Sequence, residues 1–248
     1  SNPRDVRTRA RREGEHVVLS GEKVWISNAD ISDLAIIVCK LEGAPGLALI
    51  LVDREACGYT TTNFKKLGLS RWPTGAISLN DVRAPAENVL SAGGAGLELT
   101  LRAFERARCF VGIISLGVAQ AAFERAVAYA KERHQWGKPI GAHQSIQIKI
   151  AEMAVEIDAA RLLVYRGLAL LDQGKRCDTQ TAMAKLYASE MGARVTSRAM
   201  EIMGAYGLSE DDPMPRLFRD ARVMTVPDGT SDIQRLLIAK NITGLSAY

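Results

Sequence analysis

The chain predicts an α+β fold, a small β-barrel followed by an up-down, four-helix-type bundle of long helices. Three observations carry that expectation. Short apolar runs punctuated by turn residues fill the stretch to about residue 90. A glycine cluster follows, Ser91-Ala92-Gly93-Gly94-Ala95-Gly96. Beyond it, apolar side chains recur at the 3–4 spacing of amphipathic helices. The boundary is set at 92/93, with a barrel domain over 1–92 and a bundle domain over 93–248.

In the first part, His16-Val17-Val18-Leu19 and Lys23-Val24-Trp25-Ile26-Ser27 flank Ser20-Gly21-Glu22, which has hairpin chemistry. Leu34–Cys39 and Leu47–Val52 are apolar runs separated by Gly43-Ala44-Pro45-Gly46. Tyr59–Phe64 and Ala76–Leu79 follow, with Trp72-Pro73-Thr74-Gly75 as a turn. Strands this short and this closely spaced suit a barrel or sandwich.

In the second part, the first helix runs from about Leu97 to Arg133, roughly 55 Å at 1.5 Å per residue. A second, from about Ala142 to Leu171, sets Ile146, Ile150, Met153, Ile157, Ala160 and Val164 on one face. Gln173-Gly174-Lys175 stops it. A third, about Asp178 to Met203, is rich in Ala and Met and ends at Gly204-Ala205-Tyr206-Gly207. After the loop at Asp211-Asp212-Pro213 come two shorter helices, about Met214–Ala221 and Ser231–Ile242. Short loops between long helices make a bundle.

Composition excludes several classes. At 248 residues and 47% apolar content, the chain is long enough for real cores. Its 32 basic and 28 acidic residues leave a net charge of +4, dispersed and too small for a nucleic-acid surface. Arg7-Thr8-Arg9-Ala10-Arg11-Arg12 reads as a solvated strand end. Cys39, Cys57, Cys109 and Cys177 are widely spaced, with no metal-ligand pattern, and the three histidines are scattered. Isolated thiols, no signal peptide and no apolar run of about 18 residues predict a reducing, cytoplasmic setting. The opening Ser1-Asn2-Pro3, without Met, reads as a segment of something longer.

The chemistry concentrates in a few motifs. Val226-Pro227-Asp228-Gly229-Thr230-Ser231 sets a carboxylate beside a Gly-Thr-Ser turn that opens a helix. Free N–H groups there suit an anion, and the carboxylate can act as a base toward an acidic C–H. An ordinary helix cap by Thr230 or Ser231 accounts for the same residues.

This motif, with three others in order, resembles the acyl-CoA dehydrogenase family over essentially the whole chain. The likeness covers that family's middle β domain and C-terminal helical domain. The resemblance implies a role for each motif. The Trp25-Ile26-Ser27-Asn28 segment would place Trp25 over the flavin of FAD and the Ser27 hydroxyl on flavin N5. In Glu132-Arg133-His134-Gln135-Trp136-Gly137-Lys138-Pro139, Arg133 would reach the pyrophosphate of a neighbour's FAD, and Trp136 replaces the usual Phe. By the same likeness, Gln144 joins the cofactor contacts. In Glu201-Ile202-Met203-Gly204-Ala205-Tyr206-Gly207, the backbone at Gly204 and Ala205 would approach the pyrophosphate. Glu201 there stands for a Gln, and Ala205 for a Gly.

Asp228 stands where the family most often has the Glu that removes the α-proton of an acyl-CoA thioester. Its side chain is one methylene shorter, a retraction of roughly 1.5 Å. Thr230 and Asp232 fall among the implied cofactor contacts. Glu105, ahead of Arg106 on the first long helix, is a second candidate base. Ser1, Arg106 and Gly229 are candidate substrate contacts. The implied partners are acyl-CoA and an electron-transfer flavoprotein, and the implied assembly is a homotetramer. Two other readings stay open. One is a nitroalkane-oxidase-like flavoenzyme using Asp228. The other is a non-catalytic partner subunit, to which Glu201, Ala205 and Asp228 point as departures from the family pattern.

Overall fold

The computed structural model describes residues 5–247. The chain divides into two compact units, one ending at Ala103 and the other beginning at Phe104.

The first unit carries seven strands: β1 (Arg9–Glu13), β2 (His16–Ser27), β3 (Leu34–Leu41), β4 (Ala48–Asp53), β5 (Thr60–Asn63), β6 (Thr74–Pro85) and β7 (Val89–Ser91). They form one sheet in the order β5-β6-β2-β1-β3-β4-β7. That order is linear, with β5 and β7 at its ends, so the ladders show one sheet. The core under it is a single cluster that includes Val17, Leu19, Ile37, Cys39, Ile50, Val52, Ile77 and Leu79. A four-residue helix, α1 (Arg54–Cys57), is capped by the Asp53 carboxylate and closed by left-handed Gly58.

The expected hairpin at Ser20-Gly21-Glu22 is instead a bulge within one continuous strand. β2 shifts register against β6 between Leu19 and Gly21. Gly21 sits at φ +133°, and a Cβ there would stand 2.9 Å from Thr8 Cα. Glycine is needed for a long-range approach, not for a local turn. The true hairpin lies one step earlier, where Gly14-Glu15 joins β1 to β2 with Glu13 opposite His16. The arginine-rich segment is thus a paired strand with Ala10 buried and its arginines toward solvent.

Gly75 opens β6 against β5, and a Cβ would lie 1.8 Å from the Thr62 carbonyl oxygen. Gly75→Ala should therefore destabilise the chain by about 1–3 kcal/mol, as backbone clashes of this kind do. A urea midpoint unchanged from wild type would contradict that assignment.

The second unit is a helical bundle. It is built from most of α2 (Ala95–Glu132), with α3 (Gln144–Asp172), α4 (Asp178–Met203), α5 (Met214–Val223) and α6 (Ser231–Thr243). Ala119, Ala122, Ala126 and Ala130 of α2, Ala160 of α3, and Ala184, Ala188 and Ala199 of α4 are all buried in its core. Small side chains let the helix backbones approach closely, and Met153, Met191, Met203 and Met214 fill the remaining gaps.

Within α2, an 18-residue stretch of mean hydropathy 1.4 is apolar enough to cross a bilayer by length and composition, with 39% of it buried. It differs from the uninterrupted run sought in the sequence because a window of this kind admits up to two charges. The buried alanines assign that face to a protein core.

Candidate active site

In the second unit, two motifs about seventy residues apart in sequence meet. An open groove of about 610 Å³ is lined by Arg133 and Trp136 from the end of α2 and its hairpin. Gly204, Ala205 and Tyr206 from the end of α4 form another part of its lining. Local chemistry explains how each arrives there.

Beyond α2 the chain makes a minimal hairpin, β8 (His134–Gln135) and β9 (Lys138–Pro139). Its turn residues Trp136 and Gly137 both take left-handed backbone angles, φ +56° and +74°. This is the pair of angles that a two-residue hairpin turn needs, and it is an uncomfortable one for a tryptophan. The strained turn holds the Trp136 ring out, 91% exposed. Backbone held in such sparsely populated angles clusters at ligand-binding and active sites. Arg133 thus joins the end of α2 to the hairpin, its N–H donating to the Tyr129 carbonyl at 2.9 Å and its carbonyl accepting from the Ile140 N–H at 2.7 Å, while Lys138 lies in β9.

On the other side, α4 stops at Gly204, whose φ of +59° and ψ of −136° suit glycine alone. A Cβ at Gly204 would meet nothing within 4 Å, so this backbone is open to a ligand. The Ala205 methyl is also exposed. Tyr129 and Tyr206 stack at 5.8 Å across the groove. Sequence reasoning misses Tyr129, although it stands four residues before Arg133 and so shares its helix face. His143 and Ser145 also line the groove, whereas the exposed Gln144 between them does not. Glu201 is absent from the lining too. It forms an exposed ion pair with Lys149 at 2.8 Å, which offsets part of the repulsion a diphosphate would meet from a free carboxylate.

The turn between α5 and α6 carries Asp228. Asp228 and Gly229 have φ of +54° and +96°. Gln234 Nε2 donates to both of their carbonyl oxygens at 3.0 Å, fixing the backbone of the turn. Thr230 caps α6 by accepting from the Ile233 N–H, so the cap accounts for its hydroxyl. Asp232 is exposed and pairs with Arg235 at 2.8 Å.

The Asp228 carboxyl is half-buried, and burial raises its pKa, opposed by the positive charges of Lys185 and Arg108. Arg108 is 7% exposed. Its Nε and Nη1 are buried without a hydrogen-bond partner among the described residues. Burial lowers its pKa, against Asp178, Glu105 and Asp228. Glu105 is 3% exposed. Its carboxylate accepts from the Cys177 N–H at 2.5 Å, immediately before α4. It therefore serves the positive end of that helix. Arg106 is exposed on α2.

In the first unit, a second register shift in β2, between Lys23 and Ile26, sets Trp25 at φ +60°. The ring packs edge-on against Phe64 at 5.1 Å yet stays 65% exposed. Ser27, two residues on, is exposed as well. Ser1 lies outside the described residues.

The chain matches the family model "Acyl-CoA dehydrogenase, C-terminal domain" over residues 94–243 and "Acyl-CoA dehydrogenase, middle domain" over residues 1–82. It is 38% identical to cyclohexane-1-carbonyl-CoA dehydrogenase of Geobacter metallireducens over 240 residues, 96% of this chain and 63% of that protein. It is 36% identical to the caffeyl-CoA reductase-Etf complex subunit CarC of Acetobacterium woodii, covering 91% of this chain and 61% of that one. A solved glutaryl-CoA dehydrogenase from Mycobacterium smegmatis in complex with FADH2 superposes with a TM-score of 0.91 at 28% identity, covering 100% of this chain and 64% of that one. The chain thus spans less than two thirds of the length of each of these relatives. Matching both domain models in order, the chain belongs to the acyl-CoA dehydrogenase family.

Proposed function

We propose that the chain forms the middle and C-terminal parts of an FAD-dependent acyl-CoA dehydrogenase that carries out α,β-dehydrogenation of an acyl-CoA thioester. The observation that carries this reading is the groove in which Arg133, Trp136, Gly204 and Ala205 converge. A guanidinium fork, a flat ring and open backbone are what a dinucleotide's diphosphate and base require. The ion-paired Glu201 and open Gly204 fit the cofactor and count against the eroded-subunit reading. Trp25 and Ser27 present a ring and a hydroxyl suited to the isoalloxazine. When bound, FAD supplies the hydride acceptor.

The residues of this chain do the proton chemistry. Asp228 takes and holds the α-proton. Its raised pKa lies closer to working pH than an exposed aspartate's, which favours proton transfer. Gln234 keeps the turn rigid while Arg108 and Lys185 oppose neutralisation of the carboxylate. Glu105, already bonded at the start of α4, is left as a structural carboxylate. Arg106 and Gly229 remain proposed substrate contacts, and Thr230 and Asp232 proposed cofactor contacts.

Electrons pass to an electron-transfer flavoprotein on this reading, supported by the relative named as a subunit of an Etf complex. The exposed Trp136 tip supports a homotetramer in which Arg133 serves a neighbour's cofactor. Four cysteines without disulfides support a reducing, cytoplasmic setting. The single core beneath all the long strands supports a sheet curled into a barrel, with the working domains divided at 92/93 ahead of α2.

The test is an anaerobic titration of the full-length flavoprotein. Bleaching of the flavin by an acyl-CoA supports the reading. Bleaching by nitroethane, with oxygen uptake in air and none by acyl-CoA, supports nitroalkane oxidation instead. In the same preparation, Arg133→Ala should weaken FAD binding by about 10- to 100-fold, the worth of a charge-assisted contact. Unchanged FAD affinity by fluorescence titration would remove Arg133 from the cofactor site.

A further inference from the structure

Lys185 of α4 is 0% exposed, the largest fully buried side chain in the described protein. A buried ammonium is a liability, and a methionine would fill much the same space without desolvating a charge. Packing therefore does not explain it. Its position does. Lys185 Nζ donates to the Thr225 carbonyl at 2.9 Å. The same carbonyl accepts the Ser231 N–H at 3.2 Å, closing the loop that holds Asp228. Five residues further along α4, Glu190 accepts from the Ser231 hydroxyl at 2.5 Å. Two side chains of α4 thus grip the two ends of the loop, with Asp228 between them in sequence.

The charged groups around this point come from every neighbouring element. From α2 there are Arg108 and Glu105. From α4 there are Asp178, Lys185 and Glu190. Arg222 at the end of α5 bonds the Thr225 hydroxyl at 3.2 Å. In α6, Arg235 lies 3.9 Å from Glu190 and also holds Asp232. Of these, Lys185 and Arg108 are the cations felt by Asp228. Lys185 in turn feels Asp228 and Glu190.

We propose that Lys185 is a positioning residue of the reaction: through the Thr225 carbonyl it anchors the loop bearing Asp228 and holds a buried positive charge against that loop, where the carboxylate has to be ionised to accept a proton. This rests on Asp228 being the base. Burial lowers the Lys185 ammonium to about 8, opposed by Asp228 and Glu190, so its charge is held below about that pH.

The experiment uses full-length holoenzyme and rapid anaerobic reduction of the flavin by acyl-CoA as a function of pH. Lys185→Met should move the acid limb of the reduction rate upward by about one pH unit, a roughly tenfold loss below the limb. The KM for acyl-CoA should stay within about twofold, since Lys185 is fully buried. Lys185→Gln keeps a donor for Thr225 without the charge and should shift the limb similarly while retaining more of the plateau. An acid limb that stays in place in both variants overturns the proposal.

If neither variant folds, urea unfolding of wild type and Asp228→Asn between about pH 6 and 10 replaces it. With its counter-charge gone, Lys185 should resist protonation more strongly. The Asp228→Asn protein should then fall progressively below wild type in stability as pH drops through about 8. A pH-independent offset overturns the proposal. An Asp228→Asn enzyme that still bleaches at the wild-type rate sinks the assignment of the base itself. A dead Asp228→Asn with an unmoved Lys185→Met limb sinks only the role of Lys185.

Discussion

Asp228→Asn should leave the chain folded and its FAD bound while slowing flavin reduction by acyl-CoA about 10²- to 10⁴-fold, the range that a general base supplies. The substitution is a clean one. Asparagine has nearly the same shape and tolerates the left-handed backbone found at this position, φ +54°. The Gln234 bonds go to main-chain carbonyls of the turn and survive the change.

The pH dependence of the wild-type enzyme follows from the same environment. Burial raises the Asp228 pKa, partly countered by Lys185 and Arg108. The proton-accepting form therefore appears only above the usual aspartate range. Reduction should rise with pH through that raised value and then level off. The stability linkage has the opposite direction. A carboxyl whose native pKa is raised contributes stability that is fully present below about 3.9, the unfolded value, and lost as pH rises through the native one. Activity and stability should thus diverge over the same window. The rate profile by rapid mixing and the stability profile by urea unfolding check the two halves separately.

Gly229→Ala should be the second most damaging change. At φ +96° an alanine is strained whatever the space around it, and here there is none. The new Cβ would stand 2.5 Å from Gln234 Nε2 and 3.4 Å from Ile233 Cγ2. Gln234 is fully buried, so its amide cannot move aside into solvent. It would have to release the Asp228 and Gly229 carbonyls, and the base would shift. Displacement of a catalytic group by about 1 Å costs on the order of 100-fold in rate. Strain and lost hydrogen bonds should lower stability by about 1–3 kcal/mol. The expected signature is a fall in the flavin-reduction rate much larger than the change in acyl-CoA binding. Wild-type reduction kinetics in Gly229→Ala would mean that the turn does not set the position of the base.

Much of this is legible in the sequence because the signals are local. The helices announce themselves by period, and the Asp228 turn by its Gly and its cap residues. What the sequence hides is nonlocal. Gly21 looks like a hairpin residue because its real constraint, Thr8, approaches from the segment leading into the strand that pairs beside it. That strand, β1, is obscured by arginines on its solvent face. Trp136 stands out in the sequence for its ring, but its left-handed turn and full exposure emerge only from the backbone.

Lys185 is inconspicuous within an Ala- and Met-rich helix. A clue exists, since Thr181, Lys185, Ala188, Gly192 and Val195 share one buried stripe at helical spacing. A lysine on an apolar stripe calls for a partner, and the partner, the Thr225 carbonyl, lies 40 residues away. Glu105 is a similar case, a charged residue in buried phase on α2 whose partners, the Cys177 N–H and the Arg176 guanidinium, lie just ahead of α4. Only those partners separate Glu105 from Asp228 as candidate bases.

The most direct test of the central claim leaves the flavin out of the readout. Full-length enzyme is incubated with an acyl-CoA in D₂O, and deuterium entering the α-carbon is followed by mass spectrometry. If Asp228 is the base, wild type exchanges the α-proton and Asp228→Asn does not, while Glu105→Gln exchanges normally wherever it folds. Undiminished α-exchange in Asp228→Asn would contradict the account.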